Sequence, residues 1–167
     1  MKTLKDALTD MLLERYDVYG EENYDQVIDL AKNNPNFKET KSGWGSSGKA
    51  FELQLGKLNL MVDFYDSTQC LYRFVDNAGN TIYESPTTTA ARVDWNTLFN
   101  DTNRWFANRL GSLNDGLKST KRSLSTAEKK YRKTNKSDDF NRFNSIERQY
   151  RGIEKSIEKM QQLSKMY

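Results

Sequence analysis

Residues 43–50 read GWGSSGKA, and Gly43, Gly48 and Lys49 stand at the spacing of a phosphate-binding loop. In such a loop backbone N–H groups cradle the phosphates, the lysine reaches the terminal ones, and a following Ser or Thr hydroxyl holds Mg²⁺. Here the hydroxyl position is Ala50, which binds no metal. The setting differs too. Upstream, LAKNNPNFKETKS carries the turn signal Asn34-Pro35 and no buried apolar run. Downstream, Phe51, Leu53 and Leu55 alternate with polar residues, a strand period where the motif needs a helix. Gly43, Gly45 and Gly48 also fit G-x-G-x-x-G, again with no helix following. The segment therefore reads as a Gly/Ser loop entering a strand, with Trp44 either tucked onto the core or exposed as a contact. No nucleotide and no other cofactor is expected.

Other chemistries narrow quickly. The chain has no histidine, so a His-based triad, a His general base and a His metal ligand are excluded. Its one cysteine, Cys70, gives neither a disulfide framework nor a thiolate zinc site, and fits a reducing compartment. Glu52, Asp63 and Asp66 suggest a metal-dependent nuclease, but no lysine follows a strand carboxylate at the spacing such enzymes use. No metal site, no catalytic residue and no small-molecule substrate is expected, and a carboxylate-based hydrolase is the least favoured reading.

Two sets of residues fit macromolecular contact instead. The first is a basic run on a helical segment: Lys118, Lys121, Arg122, Lys129, Lys130, Arg132, Lys133 and Lys136, against Glu128 alone. At helical periodicity most share one outward stripe, where aligned cations attract phosphates and release counterions. The competing reading is a solubilising face on a thin coiled coil. The second, weaker set is a sheet face. If Leu60, Val62 and Phe64 point inward, then Met61, Asp63 and Tyr65 point outward with Asp66 just beyond, a surface suited to a protein partner.

These residues need elements to hold them. Leu4, Leu8, Met11 and Leu12 form one face of a first helix starting near Thr3. Tyr24, Val27, Ile28 and Ala31 form the stripe of a second, capped by Asn23 and stopped at Asn34-Pro35. Leu55-Gly56-Lys57-Leu58 reads as a two-residue type II′ hairpin turn joining Phe51–Leu55 to a strand through Phe64. Strands at about Cys70–Val75 and Thr81–Glu84, joined by DNAGN, complete a four-stranded antiparallel meander. SPTTTAAR reads as a loop with room for an extended edge segment.

From Asp94, read as an N-cap, the period turns helical and stays so. Phe106, Leu110, Leu113, Leu117, Thr120, Leu124, Ala127 and Tyr131 recur at heptad spacing, as do Phe143, Ile146, Tyr150, Ile153, Ile157, Met160, Ser164 and Tyr167. The turn RKTNKSDD folds the two seams into an antiparallel helical hairpin. A turn centred near Ser137 would pair Tyr131 with Phe143, Leu124 with Tyr150, Leu117 with Ile157 and Leu113 with Met160. Asp138/Arg142 and Glu147/Arg151 stand at i,i+4 spacing for ion pairs. Gly111 and Gly116 admit a kink. Trp95, Phe99, Trp105 and Phe106 are expected to seat this helix on the sheet. The fold class is α+β: two N-terminal helices and the meander in residues 1–93, then a coiled-coil hairpin in residues 94–167.

At 167 residues, with 36% hydrophobic and 12% aromatic content, the chain suits a modest core plus solvent-rich helices. Asp6, Asp10 and Glu14 interrupt the N-terminal apolar residues, so neither a leader nor a membrane anchor is expected. Charge is uneven: residues 1–110 hold 12 Lys/Arg against 16 Asp/Glu, and residues 111–167 hold 14 against 7. The expectation is a non-enzymatic binding protein of the bacterial cytoplasm, an accessory factor of phage or host. Its partner would be a protein or nucleoprotein, and its job to inhibit a nucleic-acid-handling machine, as anti-CRISPR and other anti-defence proteins do. The alternative is a module binding nucleic acid directly through the basic face of the hairpin.

Overall fold

The computed structural model describes residues 24–44 and 48–167. The chain divides into two compact units, Met1–Asp101 and Thr102–Tyr167. The helix expected from Thr3 and the Asn23 cap lie outside the described residues. Within them, the first unit opens on α1 (Tyr24–Ala31), followed by β1 (Lys38–Thr40), β2 (Lys49–Leu55), β3 (Leu58–Phe64), β4 (Gln69–Val75), β5 (Thr81–Glu84) and β6 (Thr88–Thr89). A 3₁₀ turn (Ala90–Arg92) leads to α2 (Trp95–Asn100).

The meander is present, but it is part of a larger sheet. Strands β1 to β5 lie in sequence order with antiparallel neighbours, and β6 pairs β4 beside β5. The four-stranded expectation missed β1 because Lys-Glu-Thr carries no apolar alternation. It is a short charged edge strand, a composition that discourages pairing with other chains. Gly56, at φ 58°, takes the left-handed position of the β2–β3 turn that only its missing side chain makes easy.

Register sets which residues are buried. Phe51 faces Val62 and Leu53 faces Leu60 across β2 and β3; Val62 faces Tyr72 and Leu60 faces Phe74 across β3 and β4. These side chains form one apolar face, all of them buried. Val27, Ile28 and Ala31 of α1 and Trp95, Leu98 and Phe99 of α2 are also buried. Ring contacts join the layers: Tyr24 with Phe64, Trp95 with Phe64 and Tyr72, and Phe99 with Phe51, at centroid distances of 5.3–6.4 Å. Asp94 caps α2 as expected, its carboxylate accepting the Thr97 N–H at 3.1 Å. The helix then stops. Asn100 is its last residue, so the helical period that begins at Asp94 belongs to two helices, and Trp95 and Phe99 to the first unit.

The second unit is a helical hairpin of α3 (Thr102–Thr134, 33 residues) and α4 (Ser137–Met166, 30 residues). α3 runs through Gly111 and Gly116 without a break. A Cβ on Gly116 would meet Ile153 Cδ1 of α4 at 4.0 Å, an ordinary contact. The reversal is tighter than expected. Asn135 adopts φ 50° and donates its N–H to the Tyr131 carbonyl at 2.7 Å, a left-handed cap, and only Asn135 and Lys136 separate the helices. The register moves accordingly. Tyr131 stacks on Phe140, with centroids 5.1 Å apart, where Phe143 was expected, and Gly116 lies beside Ile153. At the open end the seam passes through fully buried Leu163, while Ser164 is exposed. Phe106 closes that end edge-on against Tyr167, at 6.0 Å.

Candidate functional site: the basic face of the hairpin

All eight residues of the basic run are exposed, and seven lie on α3, which is about 50 Å long at 1.5 Å per residue. At 3.6 residues per turn, Lys118, Lys121, Arg122, Lys129, Arg132 and Lys133 fall within an arc of roughly 120°, centred about 120° around the helix from the Leu117/Leu124/Tyr131 seam. Lys136 follows the helix, just before α4. Lys130 falls outside the arc toward α4, and its Nζ pairs with Asp139 Oδ1 at 3.0 Å. Arg132 is also engaged, by Glu128 Oε1 at 2.6 Å. Among the described residues the other six make no ion pair, although the charge of Lys136 also acts on Asp139.

Asp139 explains why Lys130 turns inward. Its carboxylate is buried at the closed end of the hairpin, where it accepts the Thr134 hydroxyl at 2.5 Å and the Lys130 ammonium. The Thr134 hydrogen bond first, and Lys130 second, hold its carboxyl below the usual carboxylate range. Of the two i,i+4 pairs expected on α4, Glu147–Arg151 forms at 3.1 Å, whereas Asp138–Arg142 does not. Arg142 instead lines a cleft between the helices together with Arg122 and Lys130. The sequence gives no hint of this, because a consistent local partner for Arg142 lies four residues away.

The sheet face is less open than its pattern suggests. Met61 and Tyr65 are half-exposed and Asp66 is exposed, but Asp63 is buried, a correction to its expected outward contact role. The loop at residues 42–44 folds over it: the Ser42 hydroxyl and the Gly43 N–H, the latter at 2.9 Å, both donate to its carboxylate. Asp66 is occupied locally, accepting the N–H groups of Thr68 and Gln69 at 2.8 and 2.7 Å, which lowers its pKa. Across the sheet, Lys38, Glu52, Met61, Arg73 and Glu84 stand in one cross-strand row of alternating charge around Met61. Arg73 Nε reaches Glu84 Oε2 at 3.1 Å.

The glycine-rich segment acquires a structural explanation from the same loop. Gly43 supplies an N–H to Asp63, and a Cβ on Gly48 would come within 2.7 Å of Ser42 Cβ and 3.1 Å of the Phe64 carbonyl. Lys49 opens β2, with its Nζ 4.5 Å from the centroid of the Tyr24 ring. Trp44, 51% exposed, lies against Tyr65 at 5.5 Å. The glycines thus seat a loop on a buried carboxylate, and the lysine stacks on a ring.

No family model, curated protein or solved structure matches the chain. Among the described residues no three His, Cys, Asp or Glu side chains are grouped as metal ligands, and no helix is long and apolar enough to cross a membrane. Burial first, and Asp66 second, push the buried Cys70 thiol up to about 12, so at neutral pH it is a protonated core residue and not a nucleophile.

Proposed function

We propose that the protein is a non-catalytic binding factor whose helical hairpin docks on a nucleoprotein, and that it inhibits a nucleic-acid-handling machine of the bacterial cytoplasm. The carrying observation is the basic face of α3, with five exposed cations that make no ion pair among the described residues, and Lys136 just beyond the helix. A hairpin needs only its seam and caps to fold. Uncompensated like charge on one face opposes folding slightly through self-repulsion, whereas an anionic partner is attracted by it. The charge asymmetry agrees: residues 102–167 hold 16 Lys/Arg against 7 Asp/Glu, and residues 1–101 hold 10 against 16. The anti-defence role supplies the class of machine and rests on the type of protein, small and without catalytic motifs. Direct binding of nucleic acid is the second reading, favoured by Arg122 and Arg142 lining one cleft, since guanidinium pairs suit phosphate.

The test is expression in bacteria that carry an active defence system, together with capture of partners from their lysate before and after nuclease treatment. The proposal expects improved plating of the targeted phage and a salt-labile partner, both lost on Lys118→Glu/Lys129→Glu/Lys133→Glu. Retention of both by that triple variant would refute it. Capture that vanishes with nuclease would favour the second reading.

A further inference from the structure

The cleft between the two helices lies beside the basic arc, encloses about 280 Å³, and is lined by residues of both helices. Arg122 and Ser123 contribute from α3, Arg142 from α4, and Ile146 and buried Ala127 are its apolar residues. At about 30 Å³ per water, that volume holds an anionic group with part of its hydration. Three cations face one carboxylate here, and the bonding already made within the cleft decides which of them can bind a ligand. Lys130 and Asp139 neutralise each other at 3.0 Å, and Thr126 spends its hydroxyl hydrogen on the Arg122 carbonyl at 3.1 Å. Among the described residues the guanidinium groups of Arg122 and Arg142 make no ion pair. Two forked donors from different helices, with the Ser123 hydroxyl in the same lining, suit the several oxygens of a tetrahedral anion better than a lone carboxylate.

We propose that this cleft is a phosphate-binding notch, taking one backbone phosphate of a nucleic acid that runs along the basic face of α3. The notch rests on the reading that this face meets an anionic partner, and it adds the partner's chemistry and the register of contact. Because the cleft is lined from both helices, the notch exists only in the folded hairpin, whereas the α3 stripe would persist on an isolated helix. The Lys130–Asp139 pair lies at the turn end of the cleft and ties α3 to α4 there.

Binding of the full chain to a short fluorescein-labelled single strand, and to the matching duplex, measured by anisotropy over a salt series, tests this. Arg122→Lys/Arg142→Lys keeps every charge but removes the forks; affinity should fall about tenfold while thermal melting stays unchanged. Arg142→Gln should reduce the slope of log affinity against log salt by about one, the loss of one phosphate contact, whereas Lys155→Gln, an exposed α4 cation outside the cleft, should reduce it less. Wild-type affinity in the double lysine variant would overturn the notch. If Lys118→Glu/Lys129→Glu/Lys133→Glu still abolished binding, the basic-face reading would survive that failure. A wild-type chain that ignores both nucleic acids but holds poly-glutamate through the same arginines would overturn it too, by making the occupant an acidic protein.

Discussion

Single residues carry three outcomes that can be measured. Gly48 has no room for a side chain, because a Cβ would press on Ser42 and the Phe64 carbonyl. Gly48→Ala should therefore destabilise the first unit by about 1–3 kcal/mol, read as a lower midpoint in urea, with no change in nucleotide affinity. Lys49→Ala should cost only about 0.5–1 kcal/mol, from the lost stacking on Tyr24. ATP or GTP binding that Lys49→Ala removes would contradict the structural explanation of this loop. Asp139 gives a pH signature. Its carboxyl pKa is depressed in the folded hairpin by Thr134 and then Lys130, so its contribution to stability is fully present above the unfolded value of about 3.9. That contribution is lost as pH falls from there through the folded value. Thermal melting of Asp139→Asn should consequently vary less with pH across that acid range than melting of the wild type, and parallel curves would contradict the pairing. That Lys49 opens a strand was legible, because a period-two run follows it. Asp63 was not legible as buried, because its partners are 20 and 21 residues away and the alternation of β3 alone points it to solvent.

Elements were legible where a period is sustained and obscure where it is not. Strands β2 to β5 lie within two residues of the runs that signal them, and α3 and α4 cover the two heptad seams, although α3 starts later than Asp94 and the turn is shorter than RKTNKSDD. β1 is three polar residues, and only its pairing with β2 makes it a strand. The break after Asn100 is invisible in periodicity, because apolar residues continue on both sides of it. Register was the hardest quantity. It depends on one backbone conformation, the left-handed Asn135, which moved the partner of Tyr131 from Phe143 to Phe140. The hairpin leaves room for improvement at positions the seam does not need. Gly152 lies inside α4 with nothing within 4 Å of a built Cβ, so Gly152→Ala should stabilise by about 0.5–1 kcal/mol, seen as a higher melting temperature. Leu124→Asp, at a half-buried seam position, should destabilise by several kcal/mol through a charge held among apolar neighbours. An undisturbed melt in that variant would contradict the seam.

At the scale of the whole molecule, charge and folding separate. The aromatic sheet core of the first unit and the apolar seam of the second involve none of the six cations of the basic run that make no ion pair, so that face can be reversed without altering either core. Lys118→Glu/Lys129→Glu/Lys133→Glu changes the hairpin's charge by −6, while the Lys130–Asp139 and Arg132–Glu128 pairs stay intact. Exposed charges contribute little individually to stability, so circular dichroism and melting should be close to wild type. Attraction to an anionic surface is long-ranged at low salt and screened over about 8–10 Å near physiological ionic strength, so binding should respond both to the mutation and to salt. The most direct measurement is capture of partners from bacterial lysate on immobilised wild type and on this triple variant, with elution along a salt gradient. The account predicts that the wild type retains a partner that salt releases, and that the folded variant retains none of it. A folded variant that holds the same partner to the same salt concentration would contradict the account, and would shift attention to the exposed Trp44–Tyr65 pair and the Met61 row of the sheet.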